Sequence, residues 1–292
     1  MSEAFRGVFV AVVTPMTQDE KIDLVALRAL LDHLIAAGVH GIAALGSTGE
    51  FYALDGEERC RVVSATIDAV AGRVPVLVGA SFGSTREVIS HCEYAQRKGA
   101  DGVLLSSPYY SLPTADELYA HFAAVEDAID LPIMLYNYPG RTGVDLTPDL
   151  IARLAKLAGV RYVKESTGDA TRITEIIRRC GGDIDVFCGC DTLALESLAM
   201  GATGWVTGAA NVLPAELVRL YELSAKTSDL SQARKLYYRL LPALAHLERG
   251  KYTQKSKAGC GLKGHPVGPP RRPLLPLTPE ESERLAAILS DT

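Results

Sequence analysis

Short, almost unbroken apolar runs recur eight times along the chain. They begin at Val8 (VFVAVV), Gly41 (GIAALG), Pro75 (PVLVGAS), Gly102 (GVLLSS), Pro132 (PIMLYNY), Arg161 (RYVKEST), Ile184 (IDVFCGC) and Gly204 (GWVTG). A strand with one wet face alternates apolar and polar residues; these runs do not, so they read as strands buried on both faces, as in a parallel sheet. Between them the apolar residues fall three or four apart, as in Leu24–Leu27–Leu31–Leu34 and Val88–His91–Cys92–Ala95, the spacing of amphipathic helices. Helix starts are marked by Thr114 before ADE, by Thr147-Pro148 and by Leu213-Pro214, with proline at a first helical position. Gly38, Gly72 and Gly99 stand where helices end. Eight strand–helix units predict a closed (β/α)8 TIM barrel of the α/β class. The competing open, doubly wound sheet normally carries a glycine-rich turn after its first strand. Here that strand is followed by TPMTQDEKID, which has no glycine.

The eighth strand does not end the chain of 292 residues. Pro214–Lys226 reads as the eighth helix, Ser231–Glu248 as another, and Pro279–Leu289 as the last. Between the last two lies GKYTQKSKAGCGLKGHPVGPPRRPLLPL, with five prolines between Pro266 and Pro276, which cannot be regular throughout. The expected organisation is a catalytic barrel over residues 1–225 and a helical extension over 226–292. The extension is too small and thinly apolar for a core of its own, so it should pack on the barrel.

Bulk properties exclude several function classes. Lys plus Arg number 30 against 35 Asp plus Glu, a net charge of −5, so nothing suggests a nucleic-acid partner. No stretch approaches the ~20 apolar residues of a membrane span. The start MSEAFRGVFVAVVTP meets Glu3 early and Pro15 soon after, which makes a poor secretory signal and points to the cytoplasm. The six cysteines then read as free thiols.

In such a barrel the chemistry sits at the carboxyl ends of the strands. His33, His91, His121 and His246 fall in helical patterns, His40 precedes a strand and His265 lies in the late loop. No histidine is available at a strand end to help hold a catalytic metal, so no metal and no cofactor are expected. Cys188 and Cys190 lack a second pair and read as small buried residues. Lys164, in RYVKEST, is different. It either snorkels outward or is desolvated inside the mouth, where the neutral amine is favoured and can attack a carbonyl. The fifth run places Tyr136 and Asn137 one strand away, with Arg141 in the next loop. A phenol beside the amine can pass protons, and an arginine can clamp a carboxylate. Read alone, Tyr136 could equally be a core aromatic and Arg141 a surface cation. The second run ends in GSTGE (Gly46–Glu50), whose small residues expose backbone N–H groups and add two hydroxyls. Tyr109 and Tyr110 follow the fourth run. GxxxxGK[ST] is absent, so there is no nucleotide P-loop. A phosphate-binding isomerase would need a glycine-rich loop after the last strands, where TGAANVLP has one glycine.

Taken together and in order, GSTGE, SPYY, YNYPGRTG and VKESTG resemble the dihydrodipicolinate synthase / N-acetylneuraminate lyase family, from Phe5 to Tyr221. The resemblance implies a Schiff-base (class I aldolase) lyase acting on pyruvate or another small 2-oxo acid, usually a homotetramer built as a dimer of dimers. It implies that Lys164 forms the imine, Tyr136 gives and takes protons, and Thr48 relays them. Tyr110 would complete the relay from a neighbouring subunit. Ser47 and Thr48 would bind the 2-oxo acid's carboxylate, Arg141 the distal carboxylate of a second substrate, and the Val206 carbonyl would face the reacting centre. Ser47 stands where the synthase branch commonly has threonine, and Phe51-Tyr52 where it has small residues. The tail lacks that branch's NPxPxK-like stretch and resembles catabolic relatives such as pyrroline-4-hydroxy-2-carboxylate deaminases, which share YNYPGR and a tryptophan like Trp205. Arg141 speaks against sialic acid. Synthase-like condensation, aldol cleavage and catabolic dehydration or deamination stay open at this point. A catalytically inactive regulatory barrel would be indicated by loss of Lys164 or Tyr136, and both are present.

Overall fold

The structure, a computed structural model, describes residues 5–292 apart from residue 228. Strands β1 (Gly7–Ala11), β2 (Gly41–Ala44), β3 (Val76–Gly79), β4 (Gly102–Ser106), β5 (Ile133–Asn137), β6 (Val160–Glu165), β7 (Asp185–Cys188) and β8 (Gly204–Thr207) coincide with the eight apolar runs. They form one parallel barrel in sequence order, closed by β1 pairing with β8. The outer ring holds α1 (Leu24–Ala36), α2 (Gly56–Val70), α3 (Thr85–Lys98), α4 (Ala115–Glu126), the single turn α5 (Pro139–Thr142), α6 (Pro148–Leu154), α7 (Thr171–Cys180), α8 (Ala194–Ala199) and α9 (Pro214–Tyr221). The expected start signals operate. The Thr114 hydroxyl and Glu117 form a reciprocal capping box on α4, and the Thr147 hydroxyl accepts the Leu150 N–H of α6. Among the described residues no helix is long and apolar enough to cross a membrane.

The barrel interior tapers by a two-residue rule. Phe9, Leu77, Leu104, Met134, Tyr162, Phe187 and Val206 form the buried plug. Gly41 and Gly204 make room for it: a Cβ on either would lie 2.2 Å from the ring of Phe9 or of Phe187. Two residues further toward the carboxyl ends, on the same inward face, the plug residues give way to Ala11, Gly79, Ser106, Tyr136, Lys164, Gly189 and Gly208. All but Tyr136 and Lys164 are small, so the mouth opens as a cavity there, reaching down to Val206.

The tail is α10 (Leu230–Glu248), α11 (Tyr252–Leu262) and α12 (Pro279–Ser290). The outer two were legible in the sequence. The middle one, Tyr252–Leu262, lies in the stretch that cannot be regular throughout, and it was not marked as a helix there; the proline-rich residues after it are irregular. The glycines of α11 lower helix propensity, but tertiary contacts override them. A Cβ on Gly259 would meet Val212 at 2.7 Å, so that glycine is a packing residue. Lys257 is buried in an ion pair, its Nζ 2.5 Å from Glu50 Oε1. The other oxygen of Glu50 accepts the Arg271 N–H at 2.8 Å. The tail is thereby tied to the GSTGE loop from beneath.

A buried carboxylate stripped of its partner is costly, about 3–5 kcal/mol for a broken buried pair. Lys257→Met should therefore lower unfolding stability by several kcal/mol in urea titrations. The double variant Glu50→Gln/Lys257→Met should recover most of the loss. Equal stability of the single variant and the unaltered chain would contradict this anchoring role.

Candidate active site

Parallel pairing sets Tyr136 of β5 directly against Lys164 of β6. Tyr162 and Lys164 both point inward, while Glu165 points out, its carboxylate accepting Asn137 Nδ2 at 3.0 Å and the Thr167 N–H at 2.6 Å. Asn137, which neighbours the site in sequence, is thus structural; its Oδ1 also accepts the Leu146 N–H at 2.9 Å and pins the loop after β5. Lys164 is buried, and its Nζ lies 4.3 Å from the centre of the Tyr136 ring. Amine and phenol together face a cavity of about 210 Å³ at the carboxyl mouth.

Five of the seven expected site residues besides the lysine–tyrosine pair need placing, and four of the five line this cavity. Ser47 and Thr48 enter from the loop after β2, held by the Thr14 hydroxyl donating to the Gly49 carbonyl at 2.6 Å. Val206 forms the wall on β8. Arg141 arrives on the single turn α5, its guanidinium 5.5 Å from the Tyr138 ring centre. Tyr110 is not brought in. It is 97% exposed, with φ +73°, and is absent from the cavity lining of this chain.

Among the lining residues that sequence reasoning did not select are Gly189, Asp191, Glu248 and Tyr252. Asp191 is buried after β7. Its carboxylate accepts Trp205 Nε1 at 3.1 Å and the Tyr252 hydroxyl, while its own N–H donates to Glu248 at 2.7 Å. The Tyr252 oxygen also accepts the Gly208 N–H at 3.0 Å. Burial, and then the charge of Glu248, pushes the Asp191 carboxyl up to about 6; burial and Asp191 drive the Tyr252 phenol well above its usual value. Asp191 and Gly189 could have been found by the strand-end rule that found Lys164. Tyr252 and Glu248 had no such signal, because they come from the tail. Cys188 is buried and its thiol is pushed up to about 12 by desolvation, in line with its reading as a small buried residue.

Residues 4–292 match the dihydrodipicolinate synthetase family. The 4-hydroxy-tetrahydrodipicolinate synthase of Pelobacter propionicus is 39% identical over 289 residues, covering 98% of each chain. A putative dihydrodipicolinate synthetase from Pseudomonas aeruginosa superposes with a TM-score of 0.96 at 37% identity, covering 99% of both chains. The chloride-inhibited dihydrodipicolinate synthase of Acinetobacter baumannii, solved with pyruvate, gives 0.94 at 35% identity and the same coverage. The chain belongs to the dihydrodipicolinate synthetase family. It is a Schiff-base-forming lyase acting on pyruvate or a related small 2-oxo acid. The relatives named here are synthases, which does not favour the deaminase alternative.

Gly189 bears on the candidate site through the space that its missing side chain leaves. A Cβ there would sit 1.8 Å from Ser166 Oγ, 2.8 Å from the Glu165 carbonyl oxygen and 3.0 Å from Lys164 Cε. Gly189→Ala should displace the amine and lower kcat/KM for pyruvate about 100-fold, the scale of a 1 Å misplacement. Circular dichroism should show the fold retained. Steady-state kinetics with unchanged kcat/KM would show that the lysine has slack that the geometry denies it.

Proposed function

We propose that this chain is a 4-hydroxy-tetrahydrodipicolinate synthase, condensing pyruvate with aspartate semialdehyde. The observation that carries the reading is Lys164 Nζ at 4.3 Å from the Tyr136 ring centre in a small cavity. In this reading the Lys164 amine attacks the keto carbon of pyruvate, and Tyr136 protonates the departing oxygen so that water leaves and an imine remains. The protonated imine is an electron sink, so the adjacent methyl carbon loses a proton and becomes an enamine nucleophile. That carbon adds to the aldehyde carbon of the second substrate. Ser47 and Thr48 hold the pyruvate carboxylate with hydroxyls and backbone N–H groups. Arg141, at the opening, binds the distal carboxylate of the aldehyde in bidentate fashion. The Val206 carbonyl faces the reacting centre.

Thr48 relays protons from Tyr136, and the relay ends on Tyr110 of a second subunit. The near-complete exposure of Tyr110 in the single chain supports this, because a phenol held out in a left-handed backbone conformation is placed to reach across an interface. The assembly is then a homotetramer made of two tight dimers, working in the cytoplasm.

Turnover should be seen with pyruvate plus aspartate semialdehyde and should be far slower with hydroxylated 2-oxo acids or pyrroline-4-hydroxy-2-carboxylate. Lys164→Ala should cut kcat by about 1,000-fold or more, as loss of a covalent nucleophile does. Arg141→Met should raise KM for the aldehyde while leaving that for pyruvate nearly unchanged. Turnover confined to the hydroxylated substrates would overturn the synthase reading.

A further inference from the structure

The tail forms a second, half-open cavity of about 530 Å³ between α10, α11 and α12. Its polar lining is lopsided in charge. His246, Arg249, Lys251, Lys255 and Arg284 face it, and Glu281 is the one carboxylate that does so. Glu281 is already engaged by Lys251, at 2.6 Å. Lys255 is buried, and its Nζ donates to the carbonyls of His246 at 2.5 Å and Arg249 at 3.1 Å, the frayed end of α10. Those carbonyls accept two of its three hydrogens but bring no full negative charge. Among the described residues neither Arg249 nor Arg284 forms an ion pair, and the buried His246 Nε2 has no hydrogen-bond partner.

Arg249 and Arg284 are exposed and keep their hydration, but Lys255 is desolvated and lies near the like charges of Arg284 and Lys251. An anion with several oxygens would offset both, and it would also give His246 Nε2 an acceptor. A single carboxylate would satisfy one arginine fork and leave the other cations unmatched. The remaining wall is apolar, from Pro242, Ala245 and Ile288, which suits a small organic backbone. Burial and the neighbouring Lys255 and Arg284 hold the imidazole below its ordinary range, so it enters neutral and can donate one N–H.

We propose that this cavity is an effector site for a small polyvalent anion, a di- or tricarboxylate or a phosphate. Its link to the catalytic mouth is direct, because Gly250 and Lys251 line both cavities. These two residues form the turn between α10 and α11, both in the left-handed region at φ +72° and +51°. An anion in the tail cavity competes with Glu281 for Lys251 and so shifts the residue pair that walls the catalytic side. Glu248, at the end of α10, carries the same displacement to Asp191 and Thr192, whose N–H groups it accepts at 2.7 and 3.2 Å.

The test uses the full-length protein, titrated calorimetrically with citrate and, separately, with inorganic phosphate, against potassium chloride at matched ionic strength. Saturable binding with a dissociation constant of about 1 mM or tighter is expected for at least one of the two. The preferred probe tells a carboxylate effector from a phosphate. Arg249→Ala/Arg284→Ala changes two exposed side chains outside the catalytic machinery and should weaken binding about tenfold or more. The bound anion should also change KM for pyruvate in the unaltered chain and not in the double variant. Heat equal to that of chloride, or binding indifferent to the double variant, would overturn the site. Binding without any change in KM would overturn its effector role. The calorimetric arm does not rest on the Schiff-base reading, so its failure is distinguishable from failure of that reading.

Discussion

The active site depends first on the pairing of β5 with β6, which sets Tyr136 and Lys164 side by side on the inward face. In a closed parallel barrel that face is a shared interior, and every second residue of each strand must enter it. The other strands apart from β2 fill the deeper layer with bulk and then deliver alanine, glycine or serine at the mouth. This leaves a space that the lysine and the tyrosine alone project into from the barrel wall. A shift of one residue in β6 would turn Lys164 outward and replace it with Val163 or Glu165, and the same shift in β5 would turn Tyr136 outward. The chemistry is therefore a consequence of register before it is a property of any side chain.

The barrel does not finish its own site. Tyr252 and Glu248 belong to the tail, and they hold Asp191 and the Gly208 N–H at the ends of β7 and β8. The Glu50–Lys257 pair fixes the same tail to the loop that carries Ser47 and Thr48. The residues beyond the eighth strand thus work on three strand ends at once, and removing them would leave the catalytic mouth without one wall.

What could be read from the sequence follows from how locally each feature is encoded. Strands buried on both faces leave unbroken apolar runs, so all eight were visible, and with them the barrel. Lys164 was visible because a cation in the middle of such a run has few explanations. Tyr136 and Arg141 were visible by their place at a strand end. The helix Tyr252–Leu262 was hidden because its face is polar in composition and buried in fact. Lys255 and Lys257 reach the interior through carbonyls and a carboxylate, which no local pattern announces. Tyr252 was hidden for the same reason, as its partner Gly208 lies 44 positions away. Tyr110 was selected from its motif, and one chain does not bring it to the cavity.

The central claim is that Lys164 forms a covalent imine with a 2-oxo acid. Reduction with borohydride in the presence of pyruvate, followed by peptide mass spectrometry, tests it without assuming the second substrate. The account predicts one reduced pyruvyl group on the peptide containing Lys164, and none when Lys164 is replaced by alanine. No adduct on folded protein with pyruvate or any of several 2-oxo acids, or an adduct on another lysine, would contradict it.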